Sequence, residues 1–232
     1  MTAAKTGELP YKTVAGVIPC VGGWLLVSAK IKGATFAPDF PRVYEKITDV
    51  ISMRPPIAIS SINAPIGAVE LALKGSRRCD VAADALIGRD VPSTRWEGEA
   101  PSLDENSEGV GSERTAMLGA RYRELAREMA PFLQRTICEG LPELSFFQIN
   151  AEERLAHDMR SEEGFKERVG LLGKVPGITR ILHHDLPDVT PYDLLEGAAL
   201  MWSSRRVNAR AGRRVPADPE WDERGLRIEI LR

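Results

Sequence analysis

The chain has few of the residues that would indicate a disulfide framework, and it has no long apolar run. Its 232 residues include only 3 cysteines, and Cys20, Cys79 and Cys138 lie far apart without paired metal-ligand spacing. An odd number of scattered thiols is typical of a reducing compartment. No segment approaches the roughly 20 apolar residues that cross a bilayer, and residues 1–10 lack the apolar core of a signal peptide. We therefore expect a cytoplasmic protein that does not bind membranes.

An excess of charge of one sign is also missing. Lysine and arginine number 31 and aspartate and glutamate 33, which gives a formal net charge of −2. Strong non-specific nucleic-acid binders usually carry a broad basic surface, so any contact with nucleic acid has to be local. The hydrophobic content of 43% is enough for a large core. We expect a disordered leader at residues 1–12 and a single domain over residues 13–232.

Hydrophobic periodicity predicts a mixture of strands and helices. Strands are predicted at residues 14–18, 24–31, 57–62, 144–149 and 226–231, and helices at 41–53, 78–87, 113–137, 162–172 and 191–207. Residues 90–112 are rich in proline, glycine, serine and acids, which favours a mobile loop, and residues 208–232 are predicted to be an extension ending in an edge strand. An early hairpin followed by mixed elements favours a three-layer α/β fold with a mixed central sheet and flanking helices.

Five segments, taken in order, resemble one known family. They are GVIPCVGGW at 16–24, NAPIG at 63–67, RCD to IGR at 78–89, QINAE at 148–152 with EGFKER at 163–168, and DLLEGA at 193–198. The third is similar to the family's Arg-x-Cys-Asp, and the fourth resembles its Glu-Val-His-Pro-Glu and its Gly-x-x-x-Arg helix. The set resembles domain of unknown function 429, a family of predicted nucleases, over roughly residues 14–207. The resemblance implies an RNase H-like fold.

The resemblance also implies a site where several acids are missing. RNase H-type enzymes hold two divalent ions, Mg²⁺ or Mn²⁺, between carboxylates at strand ends and on one helix. This chain has Ile18, Asn63 and Gln148 at positions where the family has acids. The helix retains Asp193 and Glu196. Because Mg²⁺ prefers several anionic oxygen ligands, these losses are expected to weaken metal binding severely.

Asp193 and Glu196 are the candidate metal ligands, and with Glu152 they are the candidate catalytic residues. Each has a structural alternative. Asp193 stands three residues after Thr190, where an acid completes a helix cap. Glu196 is equally interpreted as a solvated helix residue.

Asn63, Gln148, Asp80 and Arg78 are the candidate binding residues. The two amides are suited to weak ligation or to hydrogen bonds with a phosphate or base, and the alternative is that they cap strand ends. A dense basic stretch follows the helix that carries Asp193, and it either contacts phosphates or forms a solvated face; its members are Arg205, Arg206, Arg210, Arg213 and Arg214.

The leading hypothesis is a catalytically degenerate family member that binds a nucleic acid, a nucleotide or a protein partner and needs no cofactor. The first alternative is a Mg²⁺- or Mn²⁺-dependent nuclease rebuilt around Asp193, Glu196, Glu152 and Asp80, which requires these side chains to converge. The second alternative is a structural subunit that uses the helix predicted at residues 113–137 as an interface.

Overall fold

A computed structural model describes residues 11–72, 77–88 and 108–232. The main sheet contains β1 Lys12–Cys20, β2 Gly23–Lys32, β3 Thr35–Pro38, β4 Arg42–Tyr44, β5 Ile57–Ile62 and β6 Ile137–Glu139. The order is β3-β2-β1-β5-β6, and β4 also pairs with β2. Strand β1 is antiparallel to β2 and parallel to β5, and β5 is parallel to β6, so the sheet is mixed.

Helices cover both faces of this sheet. They are α1 Ile47–Ile51, α2 Val69–Ala72, α3 Arg78–Ile87, α4 Glu108–Glu128, α5 Pro142–Ile149, α6 Glu162–Leu172 and α7 Pro191–Asn208. Short 3₁₀ helices span Pro131–Arg135 and Ile178–His183, and β7 Arg214–Trp221 with β8 Arg227–Leu231 forms a separate antiparallel hairpin. One core cluster joins the sheet to α5, α6 and α7, and another joins it to α1 and α4. The fold is therefore a three-layer α/β arrangement, as the sequence predicts.

The central strand β1 is buried on both faces, which explains its nearly continuous apolar sequence. Val14 and Ile18 belong to the cluster with α7, and Ala15 and Val17 belong to the cluster with α4. A Cβ atom on Gly16 would lie 2.1 Å from the carbonyl oxygen of Gly197 on α7. The glycine therefore permits the close approach of α7 to β1.

Local sequence signals located several elements correctly. Strand β5 and helices α3 and α6 have the predicted bounds, and α7 begins at Pro191 with a capping box at Thr190. Helix α3 ends at Gly88, whose φ of 79° is the left-handed conformation that glycine adopts without strain. The predicted last strand is confirmed as β8, and its partner β7 was not foreseen.

The strand predicted at residues 144–149 is wrong, because these residues belong to helix α5. A short apolar run has the same pattern in a buried strand and in a buried helix, and α5 is buried along most of its length. The strand in this region is β6, which is only three residues long, and the helix predicted at residues 113–137 overlaps it at Ile137 alone. That helix is instead α4, which ends at Glu128 before the 3₁₀ turn begins at Pro131.

Two further boundaries differ from the sequence prediction. Residues 41–53 form the short strand β4 and the five-residue helix α1 rather than one helix, because β4 pairs with β2. Residues 1–10 of the predicted leader and residues 89–107 of the predicted loop lie outside the described residues, while residues 108–112 belong to α4.

Within the described ranges, no helix has the length and apolar character needed to span a membrane.

Candidate functional site

The carboxyl ends of three parallel strands meet at one edge of the sheet. Val17 of β1 is level with Ile62 of β5, and Ile62 is level with Glu139 of β6. Ligand sites in α/β folds commonly lie at such an edge. Side chains alternate between faces along a strand, so Asn63, one residue after Ile62, lies on the opposite face from Glu139.

On the face covered by α7, Ile18 occupies the position of the expected first acid. It is 1% exposed and belongs to the apolar cluster formed with α7. A Cβ atom on Gly197 would lie 3.6 Å from Cγ1 of Ile18, so the two elements are in direct contact. Hydrocarbon fills the place where a carboxylate and its metal ion would be needed.

Asn63 and Glu196 are brought together on the same face. Nδ2 of Asn63 donates to Oε2 of Glu196 at 3.3 Å, and the backbone N–H of Asn63 donates to the carbonyl of Val17 at 2.9 Å. Both side chains are half-buried. These two candidates form an amide–carboxylate pair across the gap between β5 and α7.

Asp193 forms the helix cap that was the structural alternative. Oδ2 of Asp193 accepts from the backbone N–H and the hydroxyl of Thr190, both at 2.8 Å, and the N–H of Asp193 donates to the Thr190 hydroxyl at 3.2 Å. The side chain is 2% exposed. One carboxylate oxygen is therefore committed to holding the start of α7.

The thiols near this edge are poor nucleophiles. Burial raises the pKa of the Cys20 thiol, and the negative charge of Asp193 raises it further. Burial likewise raises the pKa of the Cys138 thiol to about 12. The thiolate is the reactive form of cysteine. Because burial disfavours that form, we assign Cys20 and Cys138 a structural role.

On the opposite face, Glu139 lies at the end of β6 and is 1% exposed. Its Oε2 accepts from the N–H of Ile66 at 2.8 Å and from Nη1 of Arg77 at 3.0 Å, and its Oε1 accepts from Nη2 of Arg77 at 2.6 Å. Glu139 was not predicted as a site residue, because it falls between the helix predicted at residues 113–137 and the strand predicted at residues 144–149. The carboxylate is the end-of-strand acid that was sought at Gln148.

Arg77 links Glu139 to Asp80. Nε and Nη2 of Arg77 donate to the two carboxylate oxygens of Asp80, each at 2.8 Å. Burial by itself would lower the pKa of Arg77, but the charge of Glu139 and the hydrogen bonds to both acids outweigh it and raise the pKa. We call Arg77, Asp80 and Glu139 the buried triad. Arg78, the predicted binding residue, is instead exposed and lies 3.5 Å from Glu220.

The donor set does not fit the divalent site that the resemblance implies. Among the described residues, the only three metal-ligating side chains with ligand atoms within 4.8 Å of one another are Cys79, Asp80 and Glu139. Arg77 already bonds both of these carboxylates, and Mg²⁺ favours oxygen ligands over a thiol. The candidate acids Asp193, Glu196 and Glu152 form no such group in the part of the chain that is described.

Gln148 and Glu152 lie at and beyond the end of α5 rather than at a strand end. Oε1 of Glu152 accepts from Nε2 of Gln148 at 3.2 Å and from Nη1 of Arg213 at 2.8 Å. Oε1 of Gln148 accepts from Nη1 of Arg232 at 2.9 Å. The hydrogen bond from Gln148 lowers the pKa of Glu152, and the nearby arginines lower it further.

The basic stretch begins in the last turn of α7 rather than after it, and it is largely engaged within the fold. Arg205 stacks over Phe36 at 5.0 Å and Arg206 over Trp202 at 5.1 Å, measured from the guanidinium carbon to the ring centroid. Arg214 lies 3.1 Å from Glu229, and Arg213 pairs with Glu152. Four of its five arginines therefore have an intramolecular partner.

The family model described as "Protein of unknown function (DUF429)" matches residues 16–221. The chain belongs to this family. No curated protein and no solved structure matches it.

The buried contacts of Glu139 and Arg77 correct the positions at which two DUF429 motifs were assigned from the sequence. The pattern Glu-x-x-Pro-Glu falls on Glu139, Pro142 and Glu143, and Arg-x-Cys-Asp begins at Arg77. The spacing of Pro142 and Glu143 after Glu139 was the signal that would have found this site.

The second glutamate of that pattern also forms a buried ion pair. Nη2 and Nε of Arg168 donate to the two carboxylate oxygens of Glu143 at 2.8 and 3.1 Å. Arg168 is 2% exposed, and Nη1 donates to the carbonyl of Gly164 at 3.0 Å. The Gly-x-x-x-Arg segment of this DUF429 chain is thus joined to the Glu-x-x-Pro-Glu segment, and both have a clear structural role.

Proposed function

We propose that this chain is a catalytically degenerate DUF429 protein with an RNase H-like fold that binds a protein partner and does not hydrolyse phosphodiesters. One observation carries the proposal: the acids near the strand ends are divided between two faces of the sheet and engaged in the fold. Glu196 accepts from Asn63, Asp193 caps α7, and Glu139 is bound by Arg77.

Two-metal hydrolysis needs carboxylates that hold ions about 3.5–4 Å apart on both sides of the reacting phosphate. Here the sheet lies between Glu139 and Glu196, and Ile18 fills the α7 face with hydrocarbon. Ile18 and Asn63 stand where the family has acids, so this chain lacks two of the anionic ligands that such ions require. Hydrolysis is therefore not expected.

A protein partner agrees better with the charge distribution than a polynucleotide does. Binding of nucleic acid gains much of its affinity from lysines and arginines that displace counterions. The formal net charge is −2, and most of the arginines in the basic stretch at and beyond the end of α7 have partners already. Binding of a nucleic acid or a nucleotide is therefore less favoured than binding of a protein partner.

The alternative is an active nuclease, and the Asn63–Glu196 pair is the observation that favours it. The pair places an amide and a carboxylate at a strand end, which is a minimal ligand set for one Mg²⁺ or Mn²⁺ ion. A structural subunit is less favoured, because the apolar residues Leu118, Tyr122 and Leu125 of α4 are already buried in the core.

Cleavage of labelled single-stranded, duplex and RNA–DNA hybrid substrates with Mg²⁺ or Mn²⁺ tests the proposal. The wild-type chain is compared with Glu196→Gln and with Glu162→Gln, a control on the exposed face of α6. We expect no cleavage by any of the three. Cleavage by the wild type and the control that is lost in Glu196→Gln would establish the nuclease instead. Equal cleavage by all three would identify a contaminating enzyme.

A further inference from the structure

We infer that a groove between α2, the end of α4 and the β7–β8 turn binds a protein segment that carries an apolar anchor flanked by lysine or arginine. We call it the hairpin groove. The inference rests on the proposed function in treating the chain as a protein-binding molecule, and it adds the location and the chemistry of the partner.

The hairpin groove has the size and the lining of a binding site. Its volume is about 810 Å³, within the range of pockets that enclose ligands. Ile66, Met129 and Leu226 belong to the core and form its apolar floor. Leu71 and Trp221 line it while remaining 50% and 62% exposed. An exposed tryptophan beside an apolar cavity is typical of residues that dominate binding energy at interfaces.

The charged residues that line the groove are predominantly acidic. Glu70, Glu220, Asp222 and Glu223 line it, and Arg224 is the only basic residue among the described residues that line it. Arg224 is already occupied, since it donates to the backbone carbonyls of Ala126 and Met129. Asp222 is partly committed as well, because it accepts from the N–H groups of Arg224 and Leu226 within the turn.

The remaining acids are paired only weakly. Glu220 lies 3.5 Å from Arg78, and Glu70 lies 3.3 Å from Arg123, with all four side chains at least 45% exposed. Exposed pairs of this kind contribute little and exchange partners readily. A basic group of a partner can therefore compete for Glu70 and Glu220 and can pair with Glu223.

The floor of the groove is fixed by the buried triad. Glu139 accepts from the N–H of Ile66, and Arg77 donates to the carbonyl of Gly67 at 3.3 Å. Gly67 has a φ of 79°, and a Cβ atom there would lie 3.1 Å from Cγ1 of Ile228 on β8. The acid at the end of β6 thus holds the loop that shapes the groove.

The combination of surfaces selects the partner. A polyanion would be repelled by the glutamates, and a purely apolar segment would leave them without new partners. A segment with both an apolar anchor and basic residues matches the cavity and its edge together. Such electrostatic complementarity favours rapid and selective association.

Selection of phage-displayed random dodecapeptides against the full chain tests this inference. The selected peptides are synthesised with a fluorophore, and their affinity is measured by fluorescence anisotropy. The binding variants are Trp221→Ala and Glu223→Lys. The matched controls are Phe40→Ala, which removes an aromatic ring that is also largely exposed but lies elsewhere, and Glu163→Lys on α6.

We expect the selected peptides to combine Trp, Phe or Leu with Lys or Arg. Their Kd should rise about tenfold or more in Trp221→Ala and in Glu223→Lys, since a buried anchor and a paired charge each contribute on this scale. Neither control should change it. Failure to enrich any binder, or binders that both groove variants retain, would overturn the inference.

The two proposals fail in different ways. Peptides that bind outside the hairpin groove would overturn the inference about the groove. The proposal of a binding protein that does not hydrolyse phosphodiesters would still stand. Cleavage that depends on Glu196 would remove the proposed function whatever the peptides show.

Discussion

The two faces of the sheet differ in the residues that stand near the same strand ends. On the α7 face, Ile18 replaces an acid with hydrocarbon, and Glu196 meets the neutral amide of Asn63. On the other face, Asp80 and Glu139 remain and Arg77 offsets their charge. An acid that is retained in a family motif is therefore not by itself evidence of a metal ligand.

Arg77→Met should give the largest loss of stability, because it leaves Asp80 and Glu139 buried without their cation. Breaking one partner of a buried ion pair costs about 3–5 kcal/mol in free energy of unfolding. Urea unfolding followed by circular dichroism at neutral pH measures the loss.

Arg123→Met provides the matched comparison for this variant. Arg123 pairs with Glu70 on the surface, with the two side chains 53% and 72% exposed. Its loss should cost at most about 1 kcal/mol. Equal and small losses in both variants would show that the buried triad does not differ from a surface pair.

Ile18→Asp tests the α7 face by restoring the carboxylate. The new acid would enter an apolar cluster, so we expect a loss of about 2 kcal/mol or more at neutral pH. Burial raises the folded-state pKa of such a carboxyl, so the loss should shrink as the pH falls below that pKa. Thermal unfolding across a pH series measures both effects.

Added Mg²⁺ should not restore the stability of Ile18→Asp, and Ile18→Val should cost only about 0.5–1.5 kcal/mol. A melting temperature that rises with Mg²⁺ in the aspartate variant alone would contradict our interpretation, because a ligand that binds the folded state stabilises it.

Asn63→Asp should have a smaller effect on the same face. It removes the donor to Glu196 and places two carboxyl groups together, at a cost of about 1–2 kcal/mol. The loss should be greater at pH 7 than at pH 4, where one carboxyl binds a proton. Chemical unfolding at both pH values measures it. The double variant Asn63→Asp/Glu196→Gln should recover most of the loss, and no recovery would show that the pair does not interact.

Glu152→Gln should have the smallest effect, since Glu152 is exposed to solvent. Its lowered pKa means that its contribution is present above the unfolded-state pKa and disappears as the pH falls through the lower folded-state value. Acid unfolding curves of wild type and variant should therefore converge at low pH. A difference in stability between wild type and variant that is larger at low pH than at neutral pH would contradict this prediction.

Local chemistry made part of the fold predictable from the sequence. Thr190 with Pro191 specifies the start of α7, and Gly88 specifies the end of α3, because caps depend on a few neighbouring residues. The structural alternative for Asp193 was likewise visible in its spacing from Thr190.

The buried triad was not predictable in the same way. Strand β6 is too short to show an alternating pattern, so Glu139 had no visible strand end. Arg77 was the exception, because the Arg-x-Cys-Asp pattern fits the sequence only when it begins at Arg77 rather than at Arg78. The groove beside β7 and β8 joins segments far apart in sequence, and no local pattern reports such contacts.

Binding of Mn²⁺ to the wild-type chain, measured by electron paramagnetic resonance, tests the central claim most directly. If the acids at the strand ends are engaged within the fold, no saturable binding should be seen and Glu196→Gln should change nothing. A site that fills with one Mn²⁺ per chain and is lost in Glu196→Gln would contradict the claim.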